Sequence, residues 1–134
     1  MTYRYAYDAG INAFRIRFEG AVDMEEILRS DRDIIHEPEW AGSRRILTLL
    51  DRDADLSALT IRQYLDVAMP YMDATRDVRG DGTREAWVIP ARWNSPIIHV
   101  WEQLPHKDEH HAFAVFETEP EALDWLLQSA PGGG

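Results

Sequence analysis

Residues 46–50, ILTLL, form an apolar run that has no polar side. A strand with one face in water places polar residues at every second position, and this run does not. Such a run is typical of a strand that is covered on both faces and therefore lies in the middle of a sheet. The run predicts a layered protein in which helices pack against a central sheet.

Alternating side chains near the amino terminus predict an antiparallel β-hairpin. Two short segments place aromatic or aliphatic residues at every second position, and turn-forming residues 8–12 separate them. One face of the hairpin would lie in the core, and the hairpin would stand at or near an edge of the sheet. The inward positions are Tyr3, Tyr5, Tyr7, Phe14, Ile16 and Phe18.

Apolar residues at spacings of three and four predict four helices. Each begins at a residue whose side-chain oxygen accepts hydrogen bonds from the first N–H groups of a helix. The last helix also has the T-x-x-E pattern of a capping box, formed by Thr118 and Glu121. The candidate caps are Asp23, then Ser57 or Thr60, then Asn94 or Ser95, and finally Thr118.

Proline and glycine interrupt the chain around the second helix. Pro70 removes a hydrogen bond and clashes with the preceding turn, so we expect a kink or an early end at residues 68–69. Residues 75–83 contain two glycines and no apolar period, which predicts an exposed loop. Short strands are expected at residues 86–89 and 112–116.

The resulting order, β-β-α-β-α-β-α-β-α, predicts one α/β domain over residues 1–130. Its sheet would be mixed and mainly parallel, with the N-terminal antiparallel hairpin at one side. Residues 131–134, PGGG, are expected to form a flexible tail. If the helices lie mainly on one face, the other face is partly bare and can carry aromatic residues of the hairpin, which favours a homodimer.

Charge and composition disfavour several classes of function. The chain of 134 residues has 14 basic and 24 acidic residues and a formal net charge of −10, which disfavours nucleic acid and anionic membrane surfaces. It has no cysteine, so disulfides, thiolate nucleophiles and cysteine metal sites are excluded. No apolar run approaches the ~18 residues of a membrane span, and the first residues lack a signal-peptide pattern. We therefore expect a cytoplasmic protein without a membrane span.

Three segments resemble the SpoIIAA-like proteins, which are related to STAS domains and, in fold, to the lipid-binding Sec14 domain. They are residues 14–27, 45–51 and 113–126, and the last contains an acidic turn followed by an E-A-x-x-W-L pattern. The resemblance implies a SpoIIAA/STAS-like fold and a non-catalytic regulatory or protein-interaction module. The alternative that it implies is a carrier or sensor of a small apolar or anionic ligand, although a domain of this length has little volume to spare for a cavity.

STAS-type antagonists of anti-sigma factors switch by phosphorylation of a serine at the start of the helix after the central strand. Ser57 lies near that place, but the Asp-Ser-Ser-Gly-like turn is absent. Asp51, Asp53 and Asp55 would repel an added phosphate, and no adjacent pair of arginines is present to receive it. We therefore expect Ser57 to cap a helix rather than to act as a switch.

Two loops at expected strand ends form the candidate site for a ligand or a protein partner, because parallel sheets bind ligands beyond the carboxyl ends of their strands. Arg92 would pair with an anion near the amides of the next helix, and Trp93 would stack on a ligand or anchor a partner. In the alternative interpretation Trp93 covers an apolar edge and Arg92 neutralises aspartates. The candidate residues are Asp51, Asp53, Ser57, Arg92, Trp93 and Asn94.

Patterns for metal binding and catalysis are incomplete. Alternate aspartates from Asp51 onward match the start of a calcium loop, but Leu56 and Arg62 stand where that loop needs glycine and glutamate. The histidines in residues 106–111 form a candidate metal tract, with an exposed polar turn as the alternative. No nucleophile elbow, zinc-protease motif, phosphate loop or dinucleotide motif occurs. We therefore expect no enzymatic activity, no cofactor and no bound metal.

Overall fold

Five strands form one mixed sheet, and their order across the sheet follows their order along the chain. The strands are β1 Tyr3–Asp8, β2 Ala13–Phe18, β3 Arg45–Leu50, β4 Thr83–Val88 and β5 His111–Phe116. The computed structural model describes residues 3–89 and 111–128. β1 is antiparallel to β2, and β2 to β5 are parallel to one another. The expected α/β class and the hairpin at one edge of the sheet are confirmed.

The apolar run of residues 46–50 is the third of the five strands and is buried along its whole length. Neighbouring strands take up its backbone hydrogen bonds, and helices cover both of its faces. Its expected position in the middle of the sheet is confirmed.

Helical segments fill the connections between the strands and follow the last strand. They are α1 Met24–Ile35, α2 Trp40–Ser43, α3 Ile61–Gln63, a π-helical turn π1 Tyr64–Ala68, α4 Met69–Ala74, α5 Arg76–Arg79 and α6 Glu119–Leu126. Within residues 3–89 and 111–128, no helix is long and apolar enough to cross a membrane. The expected third helix, its candidate caps, residues 106–110 and the tail lie outside the described residues.

Helix caps follow the sequence closely. Asp23, Thr60 and Thr118 each accept a hydrogen bond from the backbone N–H three residues later. At the second helix, Gln63 returns a hydrogen bond to the backbone of Thr60 and completes a capping box. The expected capping role of Ser57 is therefore wrong, because the helix begins after Thr60.

The helix around Pro70 changes its hydrogen-bond pattern instead of ending. In π1 the N–H of Met69 bonds to the carbonyl of Tyr64, five residues earlier. Pro70 has no N–H for the carbonyl of Asp66, so a regular α-helical ladder is interrupted at this point. The expected disturbance at residues 68–69 takes the form of this wide turn, and the helix continues as α4.

The expected loop over residues 75–83 is wrong in two places. Arg76–Arg79 form α5, and β4 begins at Thr83 rather than at residue 86. Arg79 is buried because the carboxylate of Asp31 in α1 pairs with its guanidinium. A tertiary contact of this kind leaves no apolar period in the sequence.

The two faces of the sheet carry different side chains. What we call the cavity face is covered by α1, α2 and π1 and is defined by Phe14, Ile16, Phe18, Ile46, Thr48, Glu85, Trp87 and Phe113. What we call the opposite face is covered over β3 and β4 by α6 and is defined by Ala13, Leu47, Leu49 and Ala86. The described helices therefore lie on both faces.

The aromatic residues of the hairpin lie on the cavity face, beneath α1. The hydroxyl of Tyr3 donates to Asp33 at 2.9 Å, and that of Tyr5 donates to Glu37 at 2.7 Å. The expectation that these tyrosines stand on a bare face is wrong, because α1 covers the strand positions from which they project. On the opposite face the hairpin presents charged residues such as Arg17.

Candidate functional site

A partly open cavity of about 650 Å³ lies between the cavity face and the helices that cover it. Its walls are mainly apolar, with Ile27, Leu28 and Ile34 contributed by α1. Ligand pockets commonly have volumes of roughly 300–1,000 Å³. The sequence led us to expect little spare volume, and the cavity overturns that expectation. Thr48 and Glu85 interrupt the apolar floor, so the helices have less apolar surface to close against.

Glu85 lies in the floor of the cavity among apolar neighbours. The strand register places it between Ile46 of β3 and Phe113 of β5, and residues in register on parallel strands point to the same face. Trp87, two residues further along β4, donates from Nε1 to Oε2 of Glu85. The Glu85 side chain keeps some accessible surface because the cavity reaches it.

The surroundings of Glu85 shift its ionisation toward neutral pH. Burial, followed by the negative charge of Asp31, raises the pKa of Glu85 from an ordinary value of 4.5 to about 7. The hydrogen bond from Trp87 and the positive charge of Arg79 lower this pKa, but they do not outweigh burial. Glu85 therefore changes its charge in the physiological pH range, which few glutamates do.

A buried ion pair lies in the cavity wall above the sheet. Asp31 accepts a hydrogen bond at 2.9 Å from Nη1 of Arg79, a second from Nη2, and a third at 2.6 Å from the hydroxyl of Tyr71. Only 4% of the Arg79 side chain and 12% of the Asp31 side chain are exposed. Nη2 of Arg79 also donates to Thr75. The Arg79 charge is thus matched by groups of the protein itself.

The surroundings of this cluster keep the Arg79 guanidinium charged and the Tyr71 hydroxyl protonated. Burial lowers the pKa of Arg79, but the hydrogen bonds and charge of Asp31 raise it by more. Burial and Asp31 together raise the pKa of Tyr71, so its hydroxyl stays protonated and donates. The ion pair of Asp31 and Arg79 joins α1 to α5 at the cavity wall.

The outer wall of the cavity comes from the segment that contains π1. Tyr64, Leu65, Ala68 and Met69 line it, and α4 continues the same wall. Leu65 and Met69 are each about half exposed, at 48% and 49%, so they lie at the rim between the cavity and water. π-helical turns are frequent at functional sites because the extra residue per turn redirects the side chains.

The candidate residues Asp51, Asp53 and Ser57 lie in the loop after β3, away from the cavity. Asp51 pairs with Arg17 at 3.2 Å, and Asp53 accepts from the N–H of Gly20 at 3.3 Å. Ser57 is exposed, and its N–H donates to Asp55. Hydrogen bonds from Ser57 lower the pKa of Asp55. The carboxylates of this loop therefore accept hydrogen bonds from neighbouring groups of the protein.

The remaining candidates, Arg92, Trp93 and Asn94, lie outside the described residues, so their proposed role stays a prediction. Within residues 3–89 and 111–128, no group of three or more His, Asp or Glu side chains is placed to hold a metal ion. The aspartates at Asp51, Asp53 and Asp55 therefore do not converge on a common point.

Sequence reasoning missed the residues that give the cavity its polar character. Glu85 lies two residues before Trp87 in β4, so the two side chains point to the same face of the sheet. A carboxylate at an inward-facing position of a strand was therefore a signal in the sequence that could have indicated a polar group in the core. Asp31 lies in the charged stretch of a helix, and Arg79 lies in what reads as a loop. Their pairing joins residues 48 positions apart and leaves no local pattern.

Comparison with known proteins identifies no relative. No protein-family model matches the chain, and neither a curated protein nor a solved structure matches it. Function is therefore inferred from the geometry of the cavity.

Proposed function

We propose that the protein is a carrier or sensor that binds a small, mainly apolar ligand between the cavity face and π1. The cavity itself supports this proposal, because it combines about 650 Å³ with apolar walls and a few polar groups. Close packing is the ordinary state of a protein interior, so a void of this size in a small domain needs a reason. A ligand that fills it supplies one.

The position of the cavity also suits a ligand that enters from water. Leu65 and Met69 at the rim are half exposed, whereas Ile34 and Trp87 further inside are almost completely buried. An apolar ligand would thus exchange contact with water for contact with Ile34, Trp87 and their neighbours. Binding of this kind needs no catalytic group.

A series of n-alcohols from hexanol to dodecanol tests the proposal by isothermal titration calorimetry. Burial of one methylene contributes up to about 0.8 kcal/mol, so affinity should rise up to about fourfold per added carbon until the cavity is filled. An absence of binding across the series would contradict the proposal.

A cavity-filling variant locates the binding. Ala68 lies in the cavity wall, so Ala68→Phe should weaken decanol binding at least about tenfold by occupying the space. Ala74→Phe is the matched control, because Ala74 is exposed on the same helical segment and does not line the cavity. Equal affinities in both variants would place the ligand elsewhere.

The protein-interaction module implied by the resemblance is the second candidate, and exposed apolar side chains favour it. Ile61, Val67 and Val78 are each about half exposed and lie outside the cavity wall. A second copy of the chain is the partner to test, since a homodimer was expected. Sedimentation velocity should show a dimer that the double change Ile61→Ser and Val67→Ser dissociates, and a monomer at every concentration would remove this candidate.

A further inference from the structure

We infer that the ligand of the cavity carries a protonated amine on an apolar body, and that the Glu85 carboxylate receives the amine. This inference rests on the proposed function and adds the chemical class of the ligand. It follows from the placement of Glu85, from the charges around it and from the aromatic groups beside it.

Glu85 has one carboxylate oxygen ready for a ligand. Trp87 donates to Oε2, and no donor within residues 3–89 and 111–128 reaches Oε1. The strand neighbours of Glu85 are Ile46 and Phe113, which have no group that donates a strong hydrogen bond. A carboxylate among apolar neighbours is costly unless a donor or a cation reaches it, and the cavity leaves Glu85 accessible to such a group.

Within residues 3–89 and 111–128, the positive charge that acts on Glu85 is that of Arg79. α1 contributes Asp31, α4 contributes Asp73, and α5 contributes Arg76 and Arg79. Asp31 already pairs with Arg79 through two hydrogen bonds, so the Arg79 charge is used there.

The two other groups of the wall lie further out. Asp73 and Arg76 are exposed and of opposite charge, and of these only Arg76 would favour an anionic ligand. The titratable hydroxyls nearby are Tyr64 in the wall and Tyr71, which donates to Asp31. Neither hydroxyl brings a positive charge to Glu85.

Aromatic rings beside Glu85 favour the same class of ligand. Trp87 and Phe113 are its neighbours along β4 and across to β5, and both line the cavity with Tyr64. Faces of such rings attract ammonium groups, most strongly where water is excluded. A charge-assisted hydrogen bond to a carboxylate is also roughly twice as strong as one between neutral groups. An amine therefore gains two interactions that an alcohol of equal length gains weakly or not at all.

The raised pKa of Glu85 agrees with this interpretation, because a proton occupies the place that a ligand cation would take. Binding of an ammonium group needs the ionised carboxylate and should therefore release a proton near neutral pH. A neutral ligand should bind with little dependence on pH. This difference separates the two classes of ligand without any change to the protein.

Three ten-carbon probes, decylamine, 1-decanol and decanoate, test the inference by isothermal titration calorimetry below their critical micelle concentrations. At pH 8 decylamine should bind about tenfold or more tightly than decanol. Its affinity should fall about tenfold at pH 6, because the ionised fraction of a glutamate with a pKa of about 7 falls from about nine-tenths to one-tenth. Decanol affinity should stay constant.

Substitution of the carboxylate tests the role of Glu85 itself. Glu85→Gln should reduce the preference for decylamine over decanol to about twofold or less and abolish the pH dependence, while decanol still binds. Glu39→Gln is the matched control, because Glu39 is exposed and lies outside the cavity. If Glu85→Gln fails to fold, the comparison of probes at two pH values in the unchanged protein still decides.

The outcomes separate the inference from the proposed function. Binding of decanol and decylamine with equal affinity, or tighter binding of decanoate, would overturn the amine and leave the cavity as an apolar binding site. Binding of none of the three probes would overturn both. A preference for decylamine that survives in Glu85→Gln would overturn the role of Glu85.

Discussion

The two faces of the sheet show two ways in which one domain uses its apolar residues. On the opposite face, Leu47, Ala86, Ala122 and Leu126 are each 0% exposed and close against one another. On the cavity face, larger side chains leave a space of about 650 Å³ beneath α1 and π1. The tightly packed face supplies stability, and the cavity face lacks contacts that full packing would add.

The ion pairs on the two faces also differ, because one is exposed to water and the other is buried. The ion pair of the opposite face, Arg17 with Asp51, has side chains that are 45% and 39% exposed, whereas Arg79 and Asp31 are almost fully buried. An exposed pair contributes little to stability because water and salt screen it. Removal of one partner of a buried pair leaves an uncompensated charge in a medium that solvates it poorly. A substitution that removes Asp31 from its pair with Arg79 should therefore destabilise the protein more than one that removes Asp51 from its pair with Arg17.

The largest effect is therefore expected from Asp31→Ala. This change leaves the Arg79 guanidinium buried without its partner and should lower the free energy of unfolding by about 3–5 kcal/mol. Asp51→Ala, the counterpart on the opposite face, should cost about 0–1 kcal/mol. Urea denaturation monitored by circular dichroism measures both. Equal losses in the two variants would show that burial does not distinguish the pairs.

The next largest effect is the pH dependence of the contribution that Glu85 makes to the free energy of unfolding. Between pH 4.5, where an ordinary glutamate titrates, and about 7, the folded protein holds a proton that the unfolded chain releases. The contribution of Glu85 to the free energy of unfolding thus falls as pH rises through this window, by about 3 kcal/mol in total, and then stays level.

Glu85→Gln removes this titration. The variant should gain stability over the unchanged protein as pH rises from 5 to 7, and the gain should become constant above about pH 8. Urea denaturation at pH 5, 6, 7 and 8 measures the difference, with Glu39→Gln as the control. Parallel stability curves for Glu85→Gln and the unchanged protein would mean that Glu85 ionises normally in the fold.

A smaller effect compares the space on the two faces. Ala122 of α6 is fully buried in a closed layer, so Ala122→Phe should force its neighbours apart and cost at least about 1–3 kcal/mol. Ala68 borders the cavity, so the ring of Ala68→Phe has room and should leave stability unchanged or raise it slightly. Thermal unfolding of the two variants measures the difference in stability between them. A similar loss of stability in both variants would contradict the prediction.

Local sequence patterns predicted the parts of the fold that depend on interactions between residues close together in the sequence. Alternation located the hairpin, an apolar run located β3, and Asp23 and Thr118 marked two helix starts, while Thr60 was one of two candidates for a third. These features depend on residues within a few positions of one another, and the sequence contains them directly.

Contacts between distant residues explain what the sequence did not predict. Arg79 reads as a loop residue, and only Asp31 on another helix makes its burial favourable. The cavity lies between the helical segments α1 and π1 and the strands β3 and β4. No local sequence pattern predicts how much space separates two elements that pack against each other. The π-turn before Pro70 is intermediate, because the proline signalled a disturbance but not its form.

We propose that a small apolar ligand occupies the cavity face and leaves the opposite face untouched. Nuclear Overhauser effects between 1-decanol and the ¹³C-labelled methyl groups of the isoleucine and leucine residues test it most directly. We expect contacts to Ile34 and Leu28, which line the cavity, and none to Leu47 and Leu126 of the opposite core. Contacts to Leu47 or Leu126, or no contacts at saturating decanol, would contradict the claim.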